Sequence, residues 1–350
     1  MTGARSLHFL IPGDLQSPTG GYGYDRRIIA GLRALGWQVT VHSLDASFPL
    51  PSVAALDHAR SMFAALPDAA LVLVDGLALG AMPQIAQAHA ARVRLVALVH
   101  HPLAAERGLT PDLARELARS ERLALAAVRQ VIVTSEATRL ALREFKVEPS
   151  RVAVVAPGTD AAPLARRVRG ESLKLLCVAT LIPRKGHDLL FTALAALQPA
   201  RWQLTCVGSL TRDPETVARL RAQLRCLGLE GRVRLAGEMN EAELSRMYAD
   251  SDLFVLPTYF EGYGMAVAEA LARGLPVIST HAGAIATLVG PGAGLLVAPG
   301  AANLLQSALS RVLAEPGLLE SLADGAAAVR SSLPNWQQTC ARMSQVLEPL

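Results

Sequence analysis

The sequence predicts an α/β protein of two Rossmann-like domains that face each other across a central cleft. Short runs rich in leucine and β-branched residues alternate with longer segments rich in alanine, leucine and arginine, which is the pattern of parallel sheets covered by helices. The alternation occurs in two consecutive series. The chain has 350 residues, 51% of them hydrophobic, which is enough for two cores.

The apolar runs that we interpret as strands fall into one series in each half of the chain. The first series comprises residues 7–11, 38–41, 71–74, 95–99, 131–134 and 152–155. The second comprises residues 174–178, 203–207, 233–235, 253–256 and 276–279. Doubly wound domains bind their ligands at the C-terminal ends of the strands, so the loops after these runs are the places to look for a site.

A polar, basic segment without a clear period, residues 161–171, separates the two series and is the expected linker. We therefore predict an N-terminal domain over residues 1–165 and a C-terminal domain over residues 166–333. Residues 334–350 contain a last helix, from about Trp336 to Leu347.

Composition narrows the class of protein only a little. A formal net charge of +4 is compatible with anionic ligands or a membrane surface but is far from a nucleic-acid-binding signature. The cysteines show no Cys-x-x-Cys spacing, so neither a zinc site nor a disulfide framework is expected; they are Cys177, Cys206, Cys226 and Cys340. No apolar stretch of signal-peptide length follows Arg5, and we expect a cytoplasmic protein that can lie peripherally against the inner face of the membrane.

Two carboxylates lie in a strand, turn and helix pattern at residues 253–278. Pro257 closes the apolar run, a glycine-rich turn follows, and the residues from Met265 to Ala272 favour a helix. The N-terminus of such a helix presents unpaired N–H groups and the positive end of its dipole to an anion. Glu261 precedes the helix and Glu269 lies within it, so the two can hold separate hydroxyl-bearing parts of one ligand.

Two other segments can contribute to a phosphate site. Gly20 and Gly21 follow the first strand and precede a helix-like segment over residues 24–35, where a flexible loop is the alternative. Lys185, just ahead of Gly186 and a helix-like segment, can place a compact positive charge on phosphates. The alternative for this lysine is a solvated position at the entry to a helix.

Histidines end one strand of the first series. His100 is placed where a cleft residue is expected, and its neighbour His101 can serve instead; a hydrogen-bonded loop residue is the alternative for both. The pair Asp250 and Asp252 precedes a strand, away from the expected cleft, so we interpret it as a structural helix end and not as a metal site.

An arginine-rich segment follows His100. The spacing of its arginines predicts one helical face that is either solvated or able to bind an anionic acceptor or lipid headgroups. These residues are Arg115, Arg119, Arg122 and Arg129.

The segment that begins at Glu261 resembles the Glu-x7-Glu signature of the retaining glycosyltransferases of family 4, which have the GT-B fold. Further segments match that family in the expected order, so the resemblance covers nearly the whole chain and is more specific than any one segment. They are Gly20-Gly21, Val99-His100-His101-Pro102, Ala156-Pro157-Gly158-Thr159-Asp160, Ala179-Thr180-Leu181-Ile182-Pro183-Arg184-Lys185-Gly186 and Gly294-Leu295-Leu296-Val297.

The resemblance implies roles for these residues. Glu261 contacts the donor sugar, Glu269 holds the ribose of the nucleotide, and His100 lies close to the donor sugar. The expected catalytic residues are Glu261, His100 and Lys185. The N-terminal domain is expected to bind the acceptor and the C-terminal domain the nucleotide sugar, and the last helix is expected to cross back to the N-terminal domain. The substrate-binding residues are expected to be Gly20, Gly21, Thr180, Arg184, Gly237, Glu238, Asn240, Tyr263, Gly264, Met265, Ala266 and Glu269.

One position departs from the family pattern. Family members usually carry an arginine at the position of Thr180, paired with the lysine, to neutralise the departing diphosphate. Arg184 is the residue that can supply this charge. Positive groups and helix N-termini stabilise a leaving diphosphate without a metal or other cofactor.

The sequence therefore predicts retaining, metal-independent transfer of a sugar from a nucleotide sugar to a glycan, lipid-linked or small-molecule acceptor. A sugar-nucleotide epimerase or hydrolase of the same fold and a non-catalytic nucleotide-sugar-binding partner subunit are the alternatives.

Overall fold

The computed structural model describes residues 5–166, 171–197 and 200–350. The chain divides into two compact units. Unit 1 consists of Met1–Gly158 with Pro334–Leu350, and unit 2 of Thr159–Leu333. Each unit contains a six-stranded sheet in which all neighbouring strands are parallel.

The strands of unit 1 lie in the order β2-β1-β3-β4-β5-β6, with helices in the connections between them. Every side chain of its third strand is buried, as expected for a parallel sheet covered on both faces. In chain order the elements are β1 (Ser6–Pro12), α1 (Gly20–Ala34), β2 (Gln38–Leu44), α2 (Val53–Ala65), β3 (Leu71–Asp75), α3 (Gly76–Leu79), α4 (Pro83–His89), β4 (Arg94–Val99), α5 (Pro111–Ala127), β5 (Gln130–Val133), α6 (Glu136–Ala141) and β6 (Val152–Val154).

Unit 2 repeats the architecture with the strand order β12-β11-β10-β7-β8-β9. Its elements are β7 (Leu173–Val178), α7 (His187–Ala195), β8 (Trp202–Val207), α8 (Pro214–Cys226), β9 (Val233–Gly237), α9 (Glu241–Ala249), β10 (Leu253–Leu256), α10 (Met265–Ala272), β11 (Val277–Thr280), α11 (Ile285–Val289), β12 (Gly294–Val297), α12 (Ala302–Ala314) and α13 (Leu318–Val329). The strand order reverses between β7 and β10, which is the position where doubly wound sheets bind ligands.

The last helix of the chain, α14 (Trp336–Leu347), packs against α1 in unit 1. Trp37 donates its indole N–H to Ser344 Oγ at 2.9 Å, and Thr339 Oγ1 donates to the carbonyl of Ala156 at 2.9 Å. Gly31 makes the close approach possible, because a Cβ atom there would lie 2.1 Å from Cys340 Sγ. The helix therefore forms part of the covering layer of unit 1.

The described part of the expected linker lies along unit 2. The amide of Ala165 donates to the carbonyl of Arg273, and the amide of Arg166 donates to the carbonyl of Ala249, both at 2.8 Å. Unit 2 thus begins at Thr159, earlier than the predicted boundary between residues 165 and 166. Residues 167–170 of the linker lie outside the described residues.

Three sequence expectations about local structure need correction. Gly20 and Gly21 do not form a loop ahead of a helix, because the Thr19 side chain accepts a hydrogen bond from the Tyr22 amide and starts α1 at Gly20. Arg129 lies beyond the C-terminal end of α5, in the turn before β5, and does not share the face of Arg115, Arg119 and Arg122. The segment 294–297, not interpreted as a strand, forms the edge strand β12.

Among the described residues, no helix combines the length and the apolar character needed to cross a membrane.

Candidate functional site

In unit 2, Glu261 lies in the loop between β10 and α10, at the point where the strand order reverses. Gly264 adopts a positive φ of +97° and is the N-cap of α10, so the helix starts at Met265 as the sequence predicts. Glu261 is buried with 7% of its surface exposed, whereas Glu269, inside α10, is half-buried. Glu261 and the first turn of α10 therefore lie just after the C-terminal end of β10, and Glu269 lies one turn further along the helix.

Lys185 forms an ion pair with Glu261. Its Nζ lies 2.5 Å from Glu261 Oε1, and both side chains are largely buried. Gly186 brings this lysine into place: it has a φ of +70°, and a Cβ atom there would lie 2.2 Å from the carbonyl oxygen of Pro257. Only a glycine lets the turn after β7 pack this closely against the end of β10.

Arg184 lies on the same side of the site as Lys185. Its Nη1 donates to the carbonyl of Phe260 at 2.9 Å. Burial alone would raise the pKa of Glu261, but the charges of Lys185 and Arg184 outweigh burial and hold its pKa below the usual value. Glu261 is thus a buried carboxylate that two neighbouring cations keep ionised.

Tyr248 orients the second carboxylate. Its hydroxyl donates to Glu269 Oε2 at 2.9 Å, and the guanidinium of Arg273 lies 4.7 Å from the centre of the tyrosine ring. Burial, followed by the charge of Glu269, raises the pKa of Tyr248 well above its usual value, so the phenol remains a hydrogen-bond donor. Tyr248 was not predicted from the sequence, where the available signal was an aromatic residue on an otherwise mostly polar helical segment.

The remaining predicted substrate residues of unit 2 lie in loops after its strands. Thr180 follows β7 and is half-buried. Gly237 is the last residue of β9, and the next residue, Glu238, is exposed. The side chain of Asn240 accepts a hydrogen bond from the Glu243 amide in a capping box at the start of α9, so it has a structural role here. Burial raises the pKa of Tyr263, just ahead of Gly264, to about 12.

The Asp-Ser-Asp sequence has the structural role that we expected. Asp252 Oδ2 accepts the amide of Lys174 at 2.8 Å, and Asp250 lies 3.7 Å from Arg166. Both carboxylates lie ahead of β10, at the end of the sheet opposite Glu261.

In unit 1, His100 directly follows β4 and meets two buried carboxylates. Its Nε2 lies 3.3 Å from Asp25 Oδ1 and 3.7 Å from Asp75 Oδ2. Asp25 belongs to α1, whereas Asp75 ends β3 and also accepts the amide of Leu77. Gly21 lies beside the ring, since a Cβ atom there would lie 3.6 Å from His100 Cδ2.

This cluster shifts the protonation of its members. Burial and the neighbouring Asp25 raise the pKa of Asp75 to about 7, although His100 acts in the opposite direction. Burial alone would lower the pKa of His100, but Asp25 and Asp75 outweigh burial and raise it. His101 faces Glu106 instead, with Nε2 3.7 Å from Oε2.

The sequence analysis did not single out Asp25 or Asp75. For Asp75 the signal was present, because it follows a buried strand just as His100 does. Asp25 lies between apolar residues of an amphipathic helix, where only the folded structure shows that it faces His100.

Comparison with known proteins gives the family of this chain. The family profile described as Glycosyltransferase Family 4 matches residues 25–162, and the profile described as Glycosyl transferases group 1 matches residues 164–329. The chain belongs to the family 4 glycosyltransferases of group 1.

Curated relatives of this family 4 chain include glycosyltransferases from actinobacteria. It is 29% identical over 273 residues to the MMP alpha-(1->4)-mannosyltransferase of Mycolicibacterium hassiacum. The aligned residues cover 73% of this chain and 65% of the relative. It is also 29% identical to a D-inositol 3-phosphate glycosyltransferase of a Nocardioides species, over 66% of this chain and 56% of the relative. The matched part thus spans less than two thirds of the length of these relatives.

Solved structures confirm the GT-B fold expected of a family 4 member. Sucrose-phosphate synthase from Thermosynechococcus elongatus superposes with a TM-score of 0.82 at 22% identity, covering 98% of each chain. HepE of Anabaena, solved in complex with UDP-glucose, superposes with a TM-score of 0.76 at 20% identity, covering 99% of this chain and 100% of HepE.

Proposed function

We propose that this protein is a retaining, metal-independent glycosyltransferase that moves a sugar from a nucleoside-diphosphate sugar to an acceptor. The observation that carries the proposal is the buried Lys185–Glu261 ion pair at the point of strand reversal in unit 2. A carboxylate that is kept ionised next to two cations suits a ligand with both hydroxyl groups and phosphates.

The donor roles follow from the chemistry of each group. Glu261 accepts hydrogen bonds from the donor sugar, and Glu269, held by Tyr248, accepts them from the ribose. Lys185, Arg184 and the N-terminus of α10 stabilise the negative charge that develops on the departing diphosphate. Arg184 acts from the loop next to Lys185 and supplies the cation that Thr180 does not.

In unit 1, the proposal assigns His100 to the donor sugar and Gly20 and Gly21 to the diphosphate. Gly20 and Gly21 are the first two residues of α1, ahead of Tyr22, whose amide is bonded to Thr19. Amides at the start of a helix have no intrahelical acceptor and commonly bind anions. Unit 1 also binds the acceptor in this proposal.

The names of similar proteins direct the choice of substrates to test. One relative is named as a mannosyltransferase, others as inositol phosphate glycosyltransferases, and HepE was solved with UDP-glucose. We therefore propose a hexosyl donor carried by UDP or GDP, and a glycan, a lipid-linked sugar or a small metabolite as the acceptor.

The first test is nucleotide binding by calorimetry, with UDP, GDP and ADP, each without metal and then with magnesium. Wild type and Glu269→Ala are compared, and Glu241→Ala, at an exposed position in α9, is the matched control. We expect metal-independent binding of one nucleotide that is lost only in Glu269→Ala. Binding that requires magnesium, or that survives in Glu269→Ala, would overturn the proposed donor site.

Product analysis separates transfer from the alternatives. The protein is incubated with the nucleotide sugar that binds, with and without acceptor, and the anomeric configuration of the product is determined by NMR. Transfer with retention supports the proposal, whereas free sugar or an altered sugar nucleotide without acceptor indicates a hydrolase or an epimerase.

Thr180 keeps the non-catalytic partner subunit as a second candidate, because the family's usual arginine is missing there. If wild type binds a nucleotide sugar without turnover and Thr180→Arg gains turnover, the partner-subunit function is favoured.

A further inference from the structure

Three buried side chains with metal-binding atoms meet beneath the Lys185 turn of unit 2. Cys177 on β7 and Cys206 on β8 are paired directly across two parallel strands, and His187 is the first residue of α7. All three are at most 1% exposed. This group, which we call the Cys2His cluster, is not part of the proposed donor site.

The distances within the Cys2His cluster suit a tetrahedral ion. Zinc bonds of about 2.3 Å to sulfur and about 2.0–2.1 Å to nitrogen place a sulfur and a nitrogen ligand about 3.6 Å apart, and two sulfurs about 3.8 Å apart. Cys177 Sγ lies 3.7 Å from His187 Nε2, and the three ligand atoms all lie within 4.8 Å of one another.

Charge decides which class of cation fits. Two thiolates and a neutral imidazole carry a charge of −2, so a divalent ion makes the group neutral, whereas a monovalent ion leaves a net charge buried in the core. Sulfur with imidazole is a ligand set that selects zinc or copper over magnesium or calcium.

The two sulfurs of the cluster interact with each other and with His187. A hydrogen bond from Cys206, together with the nearby His187, lowers the pKa of Cys177 despite its burial. The same hydrogen bond, together with burial, raises the pKa of Cys206. An ion that binds both sulfurs therefore displaces a proton from Cys206.

We propose that Cys177, His187 and Cys206 bind a thiophilic divalent cation of the zinc class. No fourth cysteine, histidine or carboxylate joins the cluster within the part of the chain that the structure describes, so these three side chains are the ligands that we propose. The ion has a structural role: it joins β7, β8 and α7, and His187 follows Gly186 directly, so it fixes the turn that carries Lys185. It takes no part in the transfer reaction.

Because the cluster is buried, the ion is captured as the chain folds. The protein is therefore produced in zinc-supplemented medium, and separately refolded with zinc or with cobalt(II) as a spectroscopic probe. Metal content is measured by mass spectrometry after gel filtration, and cobalt is detected by thiolate charge-transfer absorption. We expect about one equivalent of zinc per chain, falling at least about tenfold in Cys177→Ser, Cys206→Ser and His187→Gln.

Cys226→Ser and Cys340→Ser are the matched controls, because Cys226 is exposed and Cys340 lies in unit 1. Both should keep the metal and the cobalt spectrum. Circular dichroism establishes whether each variant is folded. If a serine variant of the cluster is not folded, Cys206→Ala is measured in its place. Zinc absent from wild type, zinc retained without Cys177 and Cys206, or a Cys177–Cys206 disulfide in the isolated protein would each overturn the proposal.

Discussion

At the scale of single residues, a hydrogen bond from the hydroxyl of Tyr248 helps to fix the orientation of Glu269. Tyr248 is fully buried, and its hydroxyl also lies 3.2 Å from the carbonyl of Ala266, so the ring is fixed next to the carboxylate. A half-buried glutamate without such a partner loses rotamer freedom when a ligand binds it. Tyr248 therefore prepares the carboxylate for binding.

Tyr248→Phe should weaken nucleotide binding while the protein remains folded. A hydrogen bond to a charged group contributes about 1.5–3 kcal/mol, so we expect affinity to fall roughly ten- to a hundredfold. Tyr24→Phe, which removes another buried phenol, bonded to the carbonyl of Val155 in unit 1, is the control. Calorimetric titration of both variants with the nucleotide measures the difference, and equal affinities would contradict the role of Tyr248.

Lys185→Met should destabilise the protein, because the buried carboxylate of Glu261 then loses its ion-pair partner and keeps only the more distant charge of Arg184. Removing one partner of a buried ion pair costs about 3–5 kcal/mol, and we expect Glu261→Gln added to it to restore most of that loss. Chemical denaturation of the two single variants and the double variant measures the coupling. Additive losses would show that the pair does not contribute as a unit.

The same ion pair predicts a pH dependence. Since the pKa of Glu261 is lowered in the folded state, its contribution to stability is present above the usual glutamate pKa and is lost as the pH falls through the lowered value. In Lys185→Met, the electrostatic attraction that lowers the pKa of Glu261 is weaker, while burial still raises this pKa. The pKa of Glu261 should therefore rise, and the loss of stability at acid pH should become smaller. Denaturation midpoints between pH 3 and pH 8 test the expectation.

At the scale of elements, the ends of β3, β4 and the start of α1 bring Asp75, His100 and Asp25 together. The pKa of Asp75, about 7, lies above its unfolded value of 3.8, so the folded state binds more protons between these values. Stability from this group therefore falls as the pH rises through that window. The raised pKa of His100 acts in the same direction, with its loss above pH 6.5.

Asp75→Asn should remove most of the loss of stability at high pH, because an asparagine side chain stays neutral. Its oxygen can still accept the hydrogen bond from the Leu77 amide. Each pKa unit corresponds to about 1.4 kcal/mol, so the variant should exceed wild type in stability at pH 8 by more than about 1 kcal/mol. Hydrogen exchange of β3 and β4 amides at pH 5 and pH 8 measures it. Asp57→Asn, at an exposed site, is the control, and parallel profiles for all three proteins would refute the expectation.

Two glycines in the loops of unit 2, Gly283 and Gly290, allow the cost of steric crowding to be measured apart from the cost of backbone strain. Both have positive φ, +56° and +62°, but a Cβ atom at Gly283 would lie 1.7 Å from the carbonyl oxygen of Glu261, whereas Gly290 faces open space. At Gly290 ψ is −175°, a backbone region almost exclusive to glycine, so Gly290→Ala should cost only the strain, about 1–3 kcal/mol. Gly283→Ala should cost more and displace Glu261, with loss of turnover. Thermal unfolding and sugar transfer by both variants make the comparison.

Elements were predictable where their residues form continuous patterns. Strand β10 and helices α10 and α14 have the predicted bounds, because buried parallel strands are unbroken apolar runs and glycine or asparagine marks the helix ends. Strand β12 was missed because its short apolar run is flanked on both sides by glycine and proline, the residues typical of loops.

Contacts at the candidate site were less predictable than its elements. The approach of Lys185 to Glu261 depends on the strand order, which places β7 beside β10 although they lie far apart in sequence. For the same reason the absence of Cys-x-x-Cys spacing did not indicate how close Cys177 and Cys206 come, since adjacent strands pair them.

At the scale of the whole molecule, unit 1 contains segments from both ends of the chain. Met343 in α14 is fully buried, and Met343→Ala should cost about 2–5 kcal/mol. Because α14 packs on α1, hydrogen exchange should accelerate in α1 and leave residues 159–333 unchanged. Leu309→Ala in α12, also buried, should have the reverse pattern. Acceleration across both units in either variant would show that they do not unfold independently.

The position of α14 has a consequence for biosynthesis. A ribosome releases Met1–Gly158 first, then all of unit 2, and only afterwards the helix that covers α1 and Trp37. At about 5–20 residues per second, synthesis of unit 2 takes on the order of ten to thirty seconds. During that time the nascent first unit exposes an apolar face that chaperones can recognise, so unit 2 is the first to reach its final structure although it is translated second.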